Sequence, residues 1–496
     1  MKKKYGLIKV LSVMLLLVVV CSYFIKGRQG EIAYLALGDV FLNYLQSFYY
    51  FFDTALFILA VGGFYGVLNK IPAYKRMLEG IVEKVGDKRR VFVIVVTILM
   101  ALVSSLTGLN TILLVIIPMF ISIILLLGYD KLVAISSVIG GVIVGLIGGV
   151  FLTVKDPNSY YALTYTTIDK LVGMDGHFAN VLPKVLLLVL SIGLLVWYIL
   201  SYIKRTNAGR EVYELSKGDV LYIDTKVNNK KRKAKTEEEN EEVEEKKPRV
   251  WPLAILLVLL FIILVLGYLP WVDLFKLDIF NKFHEWLLGL KIGNYEVMVN
   301  VISSSLTQYG AFGTWAGMGN YMMVMFVMVI FSIILVLGYR VKFDDLMDGF
   351  IYGIKKMIPA SLVVALAYTV LVCSYNNGFI ETLITMANDS FGDNALIHSG
   401  LAILGSVFSV DLYYASASIF ATITSNLTES ANLAVYATMF QSLFGIVQII
   451  GPTSLLLLVG LSYLEVPYKT WIKYIWRFVV ELLIIILLVL MIVSLL

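Results

Sequence analysis

Long, continuous apolar runs separated by short polar stretches dominate the chain, among them Leu7 to Ile25, Tyr49 to Leu68 and Val250 to Leu269. Several runs reach the ~20 apolar residues that an α-helix needs to cross the hydrocarbon core of a bilayer. They do not alternate with a period of two, as the strands of a membrane β-barrel would. The pattern predicts an all-α polytopic membrane protein. Because the first run is long for a signal peptide, we interpret it as an uncleaved span.

Two apolar stretches, 101–120 and 405–423, each carry a polar cluster between arms too short to cross a bilayer comfortably. Polar backbone at membrane depth is tolerated only where it is buried in protein or lines a wet cavity. We therefore predict paired re-entrant hairpins at about 91–127 and about 396–427, with tips that contact a substrate. The predicted substrate-binding residues at the tips are Ser104, Ser105, Thr107, Gly108, Asn110 and Thr111, together with Ser409, Asp411, Ser416 and Ser418.

An internal repeat relates Leu59–Gly149 to Leu366–Gly451, so that span, amphipathic connector, hairpin and glycine-bearing span occur twice. The first connector, 70–90, holds seven Lys or Arg residues, whereas its counterpart, 376–395, holds none. Since basic connectors stay on the cytoplasmic side, the two copies are predicted to be inverted-topology repeats. Such repeats, with discontinuous helices near the membrane midplane, are typical of secondary transporters.

Each copy ends in a glycine-bearing stretch, 140–149 and 445–454, which we interpret as a helix broken near the site. Close helix packing is the alternative explanation for these glycines. For Gln441, a structural hydrogen bond between helices is the alternative to a substrate contact. The stretches add four predicted substrate-binding residues: Gln441, Pro452, Thr453 and Ser454.

Asp411 is the one carboxylate within the predicted hairpin tips. An ionisable residue inside a membrane segment costs at least ~2.5 kcal/mol on insertion scales, which favours a functional role. We predict that Asp411 couples transport to H⁺ or Na⁺; the alternative is that the span boundary lies elsewhere and that Asp411 faces water. Asp53, near the outer end of the second span, is interpreted as an interfacial residue.

The chain divides into an N-terminal membrane half at 1–203, a charged linker at 204–249 and a C-terminal membrane half at 250–496. In the linker, a basic block at 230–235 precedes an acidic run at 237–245, a composition typical of a disordered segment. The basic N-terminus and the linker are predicted to be cytoplasmic. This predicts a multi-pass protein of the cytoplasmic membrane.

The composition argues against several classes of function. The chain is 59% hydrophobic and 15% charged, and its net charge of +5 sits mostly in loops, so it indicates topology and not nucleic-acid binding. Two cysteines and three histidines, scattered in sequence, provide neither a disulfide framework nor a metal site. No phosphate-binding Gly-x-x-x-x-Gly-Lys-Ser/Thr loop occurs. We expect neither an enzyme nor a cofactor beyond a coupling H⁺ or Na⁺.

The C-terminal segment FQSLFGIVQIIGPTSLLLLVGLSYLEVPYKTWIKYIW at 440–476 resembles the YfcC-type carriers of the ion transporter superfamily. FYGVLNKIPAYKRMLEGIVEKVG and GYDKLVAIS are similar to the first half of that family. The resemblance implies a homodimeric, H⁺- or Na⁺-coupled carrier of small organic anions, amino acids or peptides. The family's acidic Gly-Met-Ala-Glu-Glu-Thr tip is replaced here by Gly108 to Leu113, and its Ser-Gly-Ser-Gly-Lys run is absent around Ser409 to Ser416. These departures disfavour basic amino acids as substrates.

These observations predict a secondary active transporter that moves a small organic solute, such as an amino acid, peptide or carboxylate, across the lipid bilayer by ion coupling or exchange. The alternative is a divergent carrier fold that acts as a membrane receptor or an assembly scaffold without transport. Retained repeat symmetry with altered tips is compatible with both.

Overall fold

In the computed structural model, the described part of the chain is mostly helical, as the apolar runs predict. Two small antiparallel strand pairs, Thr153–Lys155 with Tyr165–Thr167 and Lys291–Ile292 with Tyr295–Glu296, are the strands of the described chain. The structure describes residues 6–24, 34–108, 110–150, 153–155, 165–167, 180–210, 213, 215, 248–268, 271, 275–298, 300, 321–375, 378–391, 395–412, 415–424 and 433–495. Most of the predicted linker and the side chain of Ser418 lie outside these residues.

Helices of the first half follow the apolar runs closely. A short 3₁₀ turn, Gly86–Lys88, leads into the predicted first hairpin, and another, Thr111–Val115, lies at its tip. The helices are α1 Gly6–Ser22, α2 Leu37–Tyr50, α3 Phe52–Leu68, α4 Pro72–Val85, α5 Arg89–Thr107, α6 Ile117–Leu126, α7 Lys131–Ile147 and α8 Val181–Asn207.

The second half contains the longest helix of the described chain, α12, which continues through Pro359. A π-helical segment, Ala415–Phe420, forms part of the predicted second hairpin. The helices are α9 Trp251–Tyr268, α10 Ile279–Leu288, α11 Tyr321–Tyr339, α12 Phe343–Tyr375, α13 Phe379–Phe391, α14 Ala395–Phe408, α15 Ala421–Thr424, α16 Leu433–Ile450, α17 Leu455–Tyr463 and α18 Tyr468–Leu495.

Among the described residues, 5 helical segments are long and apolar enough to cross a membrane, or up to 6 if a bent pair is counted as one span. That pair is α2 and α3, which meet at an angle of 59°. The all-α polytopic membrane architecture is thereby confirmed. Helix α12 begins at Phe343, well before Pro359, and its N-terminal half packs against α3.

The chain reverses direction at the first polar tip. Helix α5 ends at Gly108, whose φ of 71° is left-handed, a conformation that favours glycine at a helix end. After the 3₁₀ turn, α6 returns, and the Arg89 guanidinium donates to the Leu127 carbonyl at 3.3 Å. The start of α5 and the end of α6 therefore lie side by side.

Helix α7 is not broken at its first glycines, contrary to the interpretation of 140–149. It runs unbroken to Ile147, and its glycines allow close packing against α5. A Cβ on Gly141 would lie 2.9 Å from the Thr97 carbonyl oxygen, and a Cβ on Gly145 would lie 2.4 Å from that of Ala101. Small residues let membrane helices approach in this way.

Helices matched by the repeat pack against each other in opposite directions. Helices α3 and α12 meet at glycines, with Gly62 against Gly353 and Gly66 against Gly349. Helix α7 runs antiparallel to α16 and α17, because the Lys131 ammonium donates to the Leu464 carbonyl at 2.8 Å while the opposite end of α7 contacts α16. In an inverted repeat, matched helices are required to run in opposite directions through the membrane.

Candidate functional site

The tip of the first hairpin contacts the C-terminal end of α7. The Ser105 hydroxyl donates to the Gly148 carbonyl at 2.9 Å, and the Val150 amide donates to the Ser105 carbonyl at 3.1 Å. Both Ser104 and Ser105 are fully buried. The break that follows α7 is thus joined to the hairpin by hydrogen bonds in both directions.

Helix α16 of the second half completes this junction. The Gln441 amide donates to the carbonyls of Leu146 at 3.2 Å and of Gly149 at 3.0 Å. The Ser442 hydroxyl donates to the Ile147 carbonyl at 3.1 Å. The last carbonyls of a helix lack partners within the helix, and here the other half of the chain supplies them.

A second junction forms where α16 ends. The chain leaves the helix at Gly451 and re-enters helix at Leu455. The Thr453 hydroxyl donates to the Val407 carbonyl at 2.7 Å, which ties the α16–α17 break to the end of α14. The hydroxyls of Ser409 and Tyr375 are hydrogen-bonded to each other. The first arm of each predicted hairpin therefore meets a helix break.

The N-terminal end of α17 faces this second break. Ser454 precedes the helix with an extended backbone, and its side chain makes no capping bond. The first amides of a helix have no intrahelical acceptor and carry a partial positive charge. Such an end, at a break within apolar helices, is suited to an anion.

Several buried polar atoms around the two junctions have no hydrogen-bond partner among the described residues. Leaving a buried polar group unsatisfied costs about 1–3 kcal/mol, so such groups are rare and call for an explanation. A polar solute or ion in contact with them would provide one. These atoms are Ser104 Oγ, Ser406 Oγ, Gln441 Oε1, Gln448 Nε2 and Ser454 Oγ.

The family model for C4-dicarboxylate anaerobic carriers (DcuC) matches residues 50–495, which include both hairpins and both junctions. The chain belongs to this carrier family. No curated protein and no solved structure matches the chain significantly. The protein is therefore a multi-pass membrane transporter, while its resemblance to YfcC-type carriers stays a prediction.

The structure brings together only some of the predicted site residues of the carrier. Ser105 and Gln441 share the first junction, and Thr453 forms the second. Others shape their own turns: the Thr107 hydroxyl donates to the Val103 carbonyl at 2.5 Å, the Asn110 side chain accepts the Thr111 amide, and the Ser416 hydroxyl donates to the Leu412 carbonyl at 2.7 Å. Pro452 is buried in the turn between α16 and α17.

Asp411 follows α14 in the predicted second hairpin and is partly buried. Its carboxylate interacts electrostatically with the hydroxyls of Tyr368 and Tyr375. Asp53 also acts on Tyr368, and it accepts the amide of Thr54 at 2.7 Å. The interpretation of Asp53 as an interfacial residue stays a prediction.

Two polar residues near the carrier's first junction, Ser442 and Lys184, are not among the predicted site residues. Lys184 is 1% exposed in the first turn of α8, and its backbone lies against Gly148. A lysine in an apolar helix was a signal in the sequence that could have marked it. Ser442 gave no signal, because a serine in a membrane helix commonly bonds to its own helix.

Proposed function

We propose that this carrier is a secondary active transporter for small carboxylates, with C4-dicarboxylates as the substrate class. The single observation that carries the proposal is the group of buried polar atoms without partners at the two junctions. Substrate is held between the junctions, where both halves of the chain contribute groups. The family to which the chain belongs supports the carboxylate class.

Charge complementarity supports an anionic solute at the second junction. The amides at the start of α17, the Ser454 hydroxyl and the Gln448 side-chain NH₂ are donors, and a carboxylate is an acceptor. Helix ends of this kind bind anionic substrate groups in transporters with broken helices. The hydroxyls at the hairpin tips extend the set of donors.

Coupling is assigned to H⁺ or Na⁺ at Asp411. A partly buried carboxylate among membrane helices can take up a proton or contribute to a cation site. Transport follows from the opposed directions of the repeat-related helices, which give two equivalent ways to open the site. We place the carrier in the cytoplasmic membrane as a homodimer, with its N-terminus and linker inside.

A ligand panel tests the substrate class. The melting temperature of the purified protein is measured with succinate, butyrate, amino acids or dipeptides, each in Na⁺ or K⁺ and at two pH values. A ligand at 100 times its Kd stabilises the folded state by about 2.7 kcal/mol. We expect stabilisation by succinate, dependent on Na⁺ or on pH. Stabilisation by amino acids alone would point to the YfcC-type substrate class, and no stabilisation would favour a receptor or scaffold.

Replacing Asp411 with asparagine should abolish ion-driven uptake, since the amide can neither bind a proton nor neutralise a cation. The measurement is uptake of labelled succinate at matched expression, with and without an ion gradient. Asp389→Asn, at an exposed position in α13, is the matched control and should transport normally. Uptake by Asp411→Asn with unchanged dependence on the gradient would remove Asp411 from the coupling mechanism.

A further inference from the structure

A cavity of about 1120 Å³ lies between α4, α5, α6 and α9. Small-molecule sites in proteins are typically about 300–1,000 Å³. None of the partnerless polar atoms at the junctions lines this cavity, so it is distinct from the candidate substrate site. A cavity of this volume can hold a molecule larger than a typical small-molecule ligand.

The walls of the cavity differ sharply in polarity. All of its charged lining residues belong to α4, and they include Arg76 and Lys84. The walls from α5, α6 and α9 are apolar, formed for example by Val103, Phe120 and Leu257. An occupant that satisfies both surfaces must carry a polar headgroup on an apolar body.

The sign of the charge favours an anionic headgroup. Three basic and two acidic residues line the cavity, so the net charge of its lining is positive, and the Lys75 ammonium pairs with the Glu79 carboxylate at 3.9 Å. The Arg76 guanidinium donates from Nη1 to the Pro248 carbonyl at 3.1 Å. Because a guanidinium has five N–H donors in a planar fork, this bond leaves donors that can bind a phosphate.

The apolar walls continue onto surface that is exposed in the chain. Leu99 on α5 is 38% exposed and Val258 on α9 is 58% exposed, and both line the cavity. Helix α4 buries Tyr74, Met77 and Leu78 and leaves Arg76 and Lys84 exposed at the cavity, the pattern of a helix at the membrane interface. The cavity is therefore open where acyl chains would enter from the bilayer.

We propose that this cavity binds an anionic phospholipid, with the phosphate at Arg76 and Lys84 and the acyl chains against α5, α6 and α9. Basic pockets between transmembrane helices bind anionic headgroups in this way. The bound lipid joins α9, the first helix of the second half, to the first hairpin. The proposal does not depend on the transported substrate.

Lipid binding to the purified, delipidated full-length protein tests the proposal. Native mass spectrometry and melting curves are recorded with dioleoylphosphatidylglycerol, dioleoylphosphatidylcholine, glycerol phosphate and oleate. Each basic residue near an anionic lipid contributes about fivefold to affinity, so R76Q/K84Q should weaken phosphatidylglycerol binding roughly thirtyfold. K469Q/K473Q, two exposed lysines of α18 outside the cavity, is the matched control and should bind normally.

A second variant, L257W, tests the apolar wall by placing a larger side chain in the cavity. We expect this variant to lose binding of both phospholipids. The proposal is overturned if phosphatidylcholine binds as tightly as phosphatidylglycerol, or if K469Q/K473Q weakens binding as much as R76Q/K84Q. It is also overturned if glycerol phosphate or oleate alone binds as tightly as the phospholipid, since the site would then recognise only one part of it.

Discussion

Replacing Gly66 with alanine is expected to prevent stable folding of the carrier. A Cβ at this position would lie 2.0 Å from the Gly349 carbonyl oxygen on α12, and a backbone atom cannot turn aside as a flexible side chain can. Overpacking typically costs about 1–3 kcal/mol, and a backbone clash belongs at or above the upper end of that range. The melting temperature in detergent and the yield of monodisperse protein measure the effect.

Gly193→Ala is the matched control, because a Cβ on this glycine of α8 meets no atom within 4 Å. Alanine is a better helix former than glycine by about 1 kcal/mol, so this variant should be as stable as the native protein or more stable. Gly353→Ala, whose Cβ would lie 2.0 Å from the Gly62 carbonyl oxygen, should behave like Gly66→Ala. Native stability in Gly66→Ala would show that α3 and α12 do not pack at these glycines.

Replacing Ser104 with alanine should impair transport without loss of stability. The Ser104 hydroxyl is buried and has no partner in the described chain, so its removal leaves no protein group unsatisfied. If it donates to a substrate carboxylate, its loss costs about 1.5 kcal/mol, or roughly tenfold in affinity. Uptake at several substrate concentrations and the melting temperature are measured on the same preparation.

Ser136→Ala provides the opposite pattern on the neighbouring helix α7. The Ser136 hydroxyl donates to the Leu132 carbonyl at 2.7 Å and accepts the Tyr474 hydroxyl at 3.1 Å. Its removal leaves Tyr474 without this acceptor and should cost about 1–3 kcal/mol of stability, with the substrate affinity unchanged. Native affinity in Ser104→Ala would remove Ser104 from the substrate site.

Much of the fold follows from hydropathy alone. Helix α3 ends at Leu68, where the second apolar run was predicted to end, and the predicted polar tip at Gly108 is the point where the chain reverses. These features depend on local sequence: the length of an apolar run sets where a helix ends, and glycine is favoured where φ is positive. The opposed charge of the two connectors predicts inverted repeats, with which the antiparallel packing of α3 and α12 is compatible.

Features that depend on tertiary packing could not be predicted. The glycines of α7 have the same local signature whether they break a helix or allow another helix to approach, and only the contact with α5 decides between the two. Pro359 marks a helix start in isolation, yet α12 passes through it because α3 supports the earlier turns. Phe51 stacks on Tyr368 with ring centroids 3.8 Å apart, a contact between residues more than 300 positions apart in the sequence.

The most direct test of the central claim is uptake of labelled succinate by the purified protein in liposomes under an imposed Na⁺ or proton gradient. Our account predicts saturable accumulation that collapses when the gradient is dissipated and that excess unlabelled C4-dicarboxylate suppresses. Uptake no greater than that of protein-free liposomes under every gradient, by protein shown to be folded, would contradict it.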